Sequence, residues 1–168
     1  MKCILLRHGI AVDAEIWNEP DSERPLTREG IKKTHKAITG LSLLDCQPTH
    51  LLSSPFVRAR ETAELVLEIF NLHDGIQFCE ELAVHHSPTT IFPILTTFPE
   101  EATVMCIGHE PHLGQLAAIM ISGRYIPGLS LKKAGACAIQ FEEKPKIGCG
   151  WLEWWLRPGQ LRQLGKHS

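Results

Sequence analysis

The chain has 168 residues, with 17 Lys and Arg against 19 Asp and Glu and a formal charge of −2. That length buries a core without disulfide or metal staples and fits a single domain over residues 1–168. The balanced charge excludes the basic footprint of a nucleic-acid binder and a polybasic membrane surface, so any anion has to be recognised locally.

The opening "MKCILLRHG" holds a short apolar run that soon meets Arg7 and His8. It predicts a first strand and neither a signal peptide nor a membrane span, which makes the cytoplasm the expected compartment. Thr27 in "PLTREG" predicts the cap of a helix running to about Leu43, with Glu29 near its positive end. "THLLSS" follows as a second strand. Ser54 and Pro55 then read as a cap and first-turn proline for a helix over "FVRARETAELVLEIF", whose first turn carries Arg58.

"IQFCEEL" predicts a third strand, and "SPTTIFPIL" a helix opened by Ser87 and Pro88 and weakened by Pro93. "TVMCIG" is the cleanest buried strand. After it, "HEPHLGQLAAIMIS" predicts a loop and a helix, and "GACAIQFE" and "GWLEWWL" a closing antiparallel pair. Trp151, Trp154 and Trp155 alternate across that last strand and are expected to serve packing. The alternation of strands and helices predicts an α/β chain, a three-layer α/β/α sandwich on a mainly parallel sheet. Cys3, Cys46, Cys79, Cys106, Cys137 and Cys149 form no C-x-x-C pair and are expected to be reduced core residues.

Three segments end a strand with a polar side chain suited to an anion: "LLRHG", "LLSSPFVRAR" and "VMCIGHEPH". In open α/β sheets the carboxyl ends of parallel strands form the ligand-binding edge, so the three can converge. His8 is a competent nucleophile towards phosphorus once one ring nitrogen is held by an acceptor. Arg7 and Arg58 offer guanidinium forks to phosphoryl oxygens, Arg58 at a helix N-terminus. Gly9 lets the chain turn behind His8 and approach a ligand closely. His109, if protonated, stabilises charge on a transferring phosphoryl group.

"HEPH" is one residue short of the zinc-protease H-E-x-x-H helix and carries Pro111 where helical bonding is needed, so no catalytic metal and no cofactor are expected. His85 and His86 are placed at the pocket rim, as are Asp21, Glu23 and Arg24.

These residues resemble the histidine phosphatase superfamily, the phosphoglycerate mutase-like group. The resemblance is greatest to its small SixA-type phosphohistidine phosphatase branch. "LLRHG" is similar to the nucleophile motif, "RPLTREG" and "SSPFVRARETAE" to the next two elements, and "IGHEPHLG" to the second catalytic histidine, in order over residues 1 to about 158. The resemblance implies a covalent phosphohistidine on His8, phosphoryl binding by Arg7, His8, Arg58 and His109, and no metal. Larger relatives place an acid after strand three, and "CEEL" offers Glu81 for that role, with Glu80 facing the other way if the segment is extended.

About twenty residues separate Glu81 from Thr103, where larger members insert a cap, so a shallow, open pocket is expected. The implied substrate is a phosphorylated protein such as a histidine phosphotransfer domain, with inorganic phosphate as product. A broad phosphomonoesterase and a non-catalytic phosphoprotein-binding module are the alternatives. The second would need only the arginines, and a phosphomutase would need a cap to exclude water.

Overall fold

A computed structural model describes residues 1–166. Among them the strands are β1 (Lys2–Arg7), β2 (His50–Ser53), β3 (Gln77–Phe78), β4 (Thr103–Gly108), β5 (Ala136–Gln140) and β6 (Trp151–Leu156). They form one sheet in the order β3-β2-β4-β1-β5-β6. Strands β1 to β4 pair in parallel, β5 runs antiparallel to β1, and β6 antiparallel to β5. The expected closing antiparallel pair is present.

Both faces are covered, which is why "CILL" is a continuous apolar run rather than an alternating one. Cys3 and Leu5 point to a core shared with α3 (Phe92–Leu95) and α4 (His112–Ser122). Ile4 and Leu6 point to the other, shared with α1 (Arg28–Leu41), α2 (Val57–Ile69) and α5 (Pro158–Leu164). This is the three-layer α/β/α sandwich expected from the pattern. Thr27 caps α1 as predicted, its Oγ1 accepting from the Gly30 N–H at 2.9 Å.

Four local expectations need correction. The third strand keeps only Gln77–Phe78, because the chain tightens into a 3₁₀ turn at Glu80–Leu82. Glu80 and Glu81 are therefore on a turn and do not alternate across a strand. Ser54 does not cap α2: its N–H still donates to Ile107 at 2.9 Å, continuing the strand, and the helix begins two residues later from Phe56.

The "SPTTIFPIL" segment splits into a 3₁₀ turn at Pro88–Ile91 and the short α3, with Pro93 tolerated in the first turn of the latter. Cys149 is exposed, whereas the other five cysteines are buried, all six as free thiols.

Sequence reading missed α5, although Pro158 at its start and the Arg157 N–H donating to Gln160 Oε1 at 2.8 Å are start signals. It docks so closely on α1 that a Cβ at Gly40 would collide with the Leu161 carbonyl. On β6, Trp154 and Trp155 pack on opposite cores, while Trp151 is exposed. No helix among the described residues is long and apolar enough to cross a membrane.

Candidate active site

The parallel strands β1, β2 and β4 end side by side, with Arg7 opposite Gly108 and Ser53 opposite Ile107. That register delivers "RHG", "SSP" and "GHE" to one edge. His8 continues the ladder, its N–H donating to the Gly108 carbonyl at 3.0 Å.

The His8 ring is 5 % exposed and its Nδ1 lies 2.7 Å from the Gly9 carbonyl. A carbonyl only accepts, so the proton is assigned to Nδ1 and the lone pair to Nε2. Burial pushes the His8 pKa down to about 3; the Gly9 carbonyl opposes this, and Arg58, Arg7 and Lys133 add to it. His8 is thus a neutral imidazole ringed by cations.

Gly9 is required for a reason other than the expected one. A Cβ there would overlap Thr34 Oγ1 of α1, so the missing side chain serves helix contact. The Gly9 N–H donates to Thr62 Oγ1 at 3.1 Å, and that hydroxyl donates to the Arg58 carbonyl at 2.7 Å. Thr62, the threonine of "RARETA", therefore ties the His8 turn to the helix start that carries Arg58.

Arg58 is 4 % exposed, with Nη1 donating to the Asp21 carbonyl at 2.7 Å and Nη2 to Asp21 Oδ2 at 2.9 Å. Asp21 also pairs with Arg24, which in turn donates to the Val12 carbonyl at 2.8 Å. Burial would raise the Asp21 pKa, but hydrogen bonds from Arg24 and Arg58 outweigh it and hold the carboxyl below its usual range. Of the expected rim residues, Asp21 is thus a direct partner of a phosphate-binding candidate.

Arg7 is held differently. Its Nη1 donates to the Leu131 carbonyl at 2.8 Å, while the Leu131 N–H donates to Glu110 Oε1 at 2.8 Å. Glu110, unremarked in the sequence, steadies the peptide that aims Arg7.

His109 is 1 % exposed, and its ring centroid lies 5.0 Å from that of His8 and 5.0 Å from that of Phe56. Its Nε2 is 2.8 Å from Ser54 Oγ. The buried Ser54 hydroxyl accepts the Phe56 N–H at 3.4 Å and, among the described residues, has no acceptor for its own proton other than His109 Nε2, so it is assigned as the donor to Nε2 and the ring proton to Nδ1. Burial first, then His8 and Arg58, push the His109 pKa to about 2. As a neutral ring His109 offers one N–H donor, from Nδ1; protonated, it would bring the same donor with a full charge.

His109 Nδ1, Arg7 Nε and Arg58 Nε are all buried without a hydrogen-bond partner. Buried donors are normally paired, so three orphans around one neutral imidazole mark an anion site.

Glu81 is not brought into this group. It lies on the Glu80–Leu82 turn, and among the described residues no hydrogen bond or ion pair joins its carboxylate to Arg7, His8, Arg58 or His109. The reactive side chains are also more covered than a shallow pocket implies, since Phe56 lies against Arg58 and His109. No cap is inserted: Ile91, Phe92 and Leu95 are buried in the core with α4.

The family model for the histidine phosphatase superfamily (branch 1) matches residues 3–83, which include Arg7, His8 and Arg58. An uncharacterised protein of Picosynechococcus is 33% identical over 142 residues, covering 83% of this chain and 85% of its own. The chain belongs to the histidine phosphatase superfamily.

Within the superfamily it falls with the SixA-type branch. Phosphohistidine phosphatase SixA of Escherichia coli is 27% identical over 164 residues, 96% of this chain and 97% of its own. The solved structure of the protein histidine phosphatase SixA complexed with tungstate superposes with a TM-score of 0.82 at 26% identity, covering 96% of this chain and 99% of that one. The similarity extends past residue 83 to His109, and the protein is a phosphatase of the histidine-phosphatase type.

Proposed function

We propose that this phosphatase hydrolyses phosphohistidine on a partner protein, without a metal, through a phosphoryl group carried on His8. The observation that carries the reading is the buried neutral His8, with Nδ1–H on the Gly9 carbonyl and Nε2 left as the nucleophile among Arg7, Arg58 and His109.

His8 Nε2 attacks phosphorus in line, forming an N–P bond as the substrate's N–P bond breaks. A phosphoimidazole already protonated on its other nitrogen leaves as neutral imidazole, so this step makes no demand for a general acid. An alkyl phosphate leaves as an alkoxide and does make it. That chemistry suits a site in which two carboxylates, Asp21 and Glu110, are engaged with Arg58 and Leu131. Water then attacks the phosphorus on His8, gives up its proton to solvent, and releases phosphate. Arg7, Arg58 and the His109 Nδ1–H stabilise the equatorial oxygens in both steps.

Two features favour a substrate presented by a protein. The relatives named phosphohistidine phosphatase match over nearly the whole chain, and tungstate in the solved SixA structure is an oxyanion of phosphate-like shape. Arg7 also lines a cavity of about 390 Å³ with Lys33, Lys132, Lys133 and Arg162. Through Lys33 and Arg162 it adjoins a groove of about 790 Å³ between α1 and α5, also lined by Lys32, Lys36 and Lys166. None of the phosphoryl-binding side chains lines that larger groove, which we assign to attraction of an acidic partner surface rather than to chemistry.

The test is phosphate release from a phosphohistidine-bearing histidine phosphotransfer domain with chelator present. Wild type is expected to release phosphate, and His8→Ala to lose at least about 10⁴-fold in rate while keeping its circular dichroism. Turnover by His8→Ala at the wild-type rate would overturn the mechanism. Release from p-nitrophenyl phosphate but not from the protein would favour a broad phosphomonoesterase.

A further inference from the structure

Outside the phosphoryl site, Glu80, His85 and His86 bring one ligand atom each to within 4.8 Å of one another. We propose that they bind one divalent transition cation of the zinc class at the rim of the pocket, at a site separate from the reacting groups.

The donor set decides the class of ion. Two imidazoles and one carboxylate suit Zn²⁺ and its neighbours, whereas Mg²⁺ and Ca²⁺ select oxygen-only shells. Tetrahedral zinc with bonds near 2.0–2.1 Å sets its ligand atoms roughly 3.4 Å apart. Closing from 4.8 Å therefore needs a shift of about 1 Å or a little more, within reach of side-chain rotation at exposed positions. Three protein ligands leave the fourth position open to water or an anion.

The backbone holds the three residues in place before any ion arrives. The Ala83 N–H donates to the Glu80 carbonyl at 2.8 Å and the His86 N–H to the Ala83 carbonyl at 3.2 Å, so residues 80 to 86 are two linked turns. The His85 and His86 rings already lie together, with centroids 4.5 Å apart.

Behind them stands His112, which is 2 % exposed. Its ring faces the main-chain carbonyls of Glu81 and Ser87, neither nitrogen makes a well-aligned hydrogen bond, and His86 bears on it electrostatically. We read His112 as the buried support of this loop and not as a fourth ligand, since its nitrogens are directed to the backbone.

The location gives the site a consequence. Phe56 lies 6.3 Å from the His85 ring and 5.0 Å from the His109 ring, so the cation would sit one aromatic side chain away from the phosphoryl-binding groups. There it adds positive charge beside the route of an anionic substrate, without ligating His8 or His109.

The experiment is calorimetric titration of the full chain, untagged, with Zn²⁺ alone. A Cys149→Ser background removes the exposed thiol, a competing soft ligand. The parent is expected to bind one equivalent in the micromolar range. His85→Ala and His86→Ala are each expected to weaken it at least about tenfold, and Glu80→Gln to weaken it less, with unchanged circular dichroism. Co²⁺ in place of Zn²⁺ should give the intense visible bands of a four-coordinate site in the parent and lose them in His85→Ala. Absence of binding in the parent, or parent-like affinity in both histidine variants, would overturn the proposal. Either result is independent of the phosphatase reading, because no turnover is measured.

Discussion

The two arginines that flank His8 are held by opposite kinds of partner. Arg7 leans on a neutral carbonyl, Leu131, whose own N–H is fixed by Glu110. Arg58 is gripped by a carboxylate and carbonyl of the same residue, Asp21, which is also paired with Arg24. A carbonyl orients a guanidinium without cancelling its charge. A carboxylate orients it more strongly but also competes with an incoming phosphoryl group. One flank is therefore built for full charge, and the other for geometry held against a built-in anion.

For the two flanks, the largest expected effect comes from deleting either cation. Arg7→Ala and Arg58→Ala should each lower kcat/KM by about 10²–10³-fold, as loss of a preorganised charge donor does. Removing Arg58 should also raise the His8 pKa, because one of the cations that suppresses protonation is gone. Steady-state kinetics and NMR titration of His8 check the two parts. An unchanged His8 titration would show that burial alone keeps it neutral.

A smaller effect concerns the neutral histidines between the flanks. Burial is the first cause lowering His8 to about 3, His109 to about 2 and His112 to about 4. Below the unfolded value near 6.5 the unfolded chain binds more protons, so stability present at neutral pH is lost as pH falls from 6.5 towards 4. Each group contributes about 1.4 kcal/mol per pH unit in that window. Urea midpoints at pH 7, 6 and 5 should fall steadily. Midpoints that hold constant would contradict the buried, neutral assignment.

The smallest effect separates the flanks. Asp21→Asn keeps the main-chain bond to Arg58 but removes the competing charge, so inhibition by inorganic phosphate should tighten a few-fold while kcat falls by less than about tenfold. Glu110→Gln retains an acceptor for the Leu131 N–H and should change kcat and phosphate inhibition by less than about threefold. Equal responses from the two variants would erase the distinction.

Much of this was legible in the chain. "CILL" and "TVMCIG" announced buried parallel strands because both of their faces are apolar. Arg7, His8, Arg58 and His109 stood out because they lie in segments where a strand ends, at the edge where parallel sheets bind ligands. Thr27 as a cap was readable from local chemistry alone.

What stayed hidden depends on partners distant in sequence. Ser54 looks like a helix cap until Ile107 takes its N–H and His109 shares its hydroxyl. Asp21 is an ordinary loop acid until the fold sets it against Arg58, 37 residues away. Glu81 looked placed to face the pocket only if the strand ran on past Phe78, and the turn at Glu80–Leu82 ended it.

Local sequence thus sets which backbone segments form and which residue types stand at their ends, since capping, periodicity and β-propensity act within a few residues. The fold alone sets charge state, tautomer and pairing of those side chains. Burial and cross-chain hydrogen bonds act through space, and they make His8 neutral, His109 a donor through Nδ1 and Arg58 the partner of Asp21.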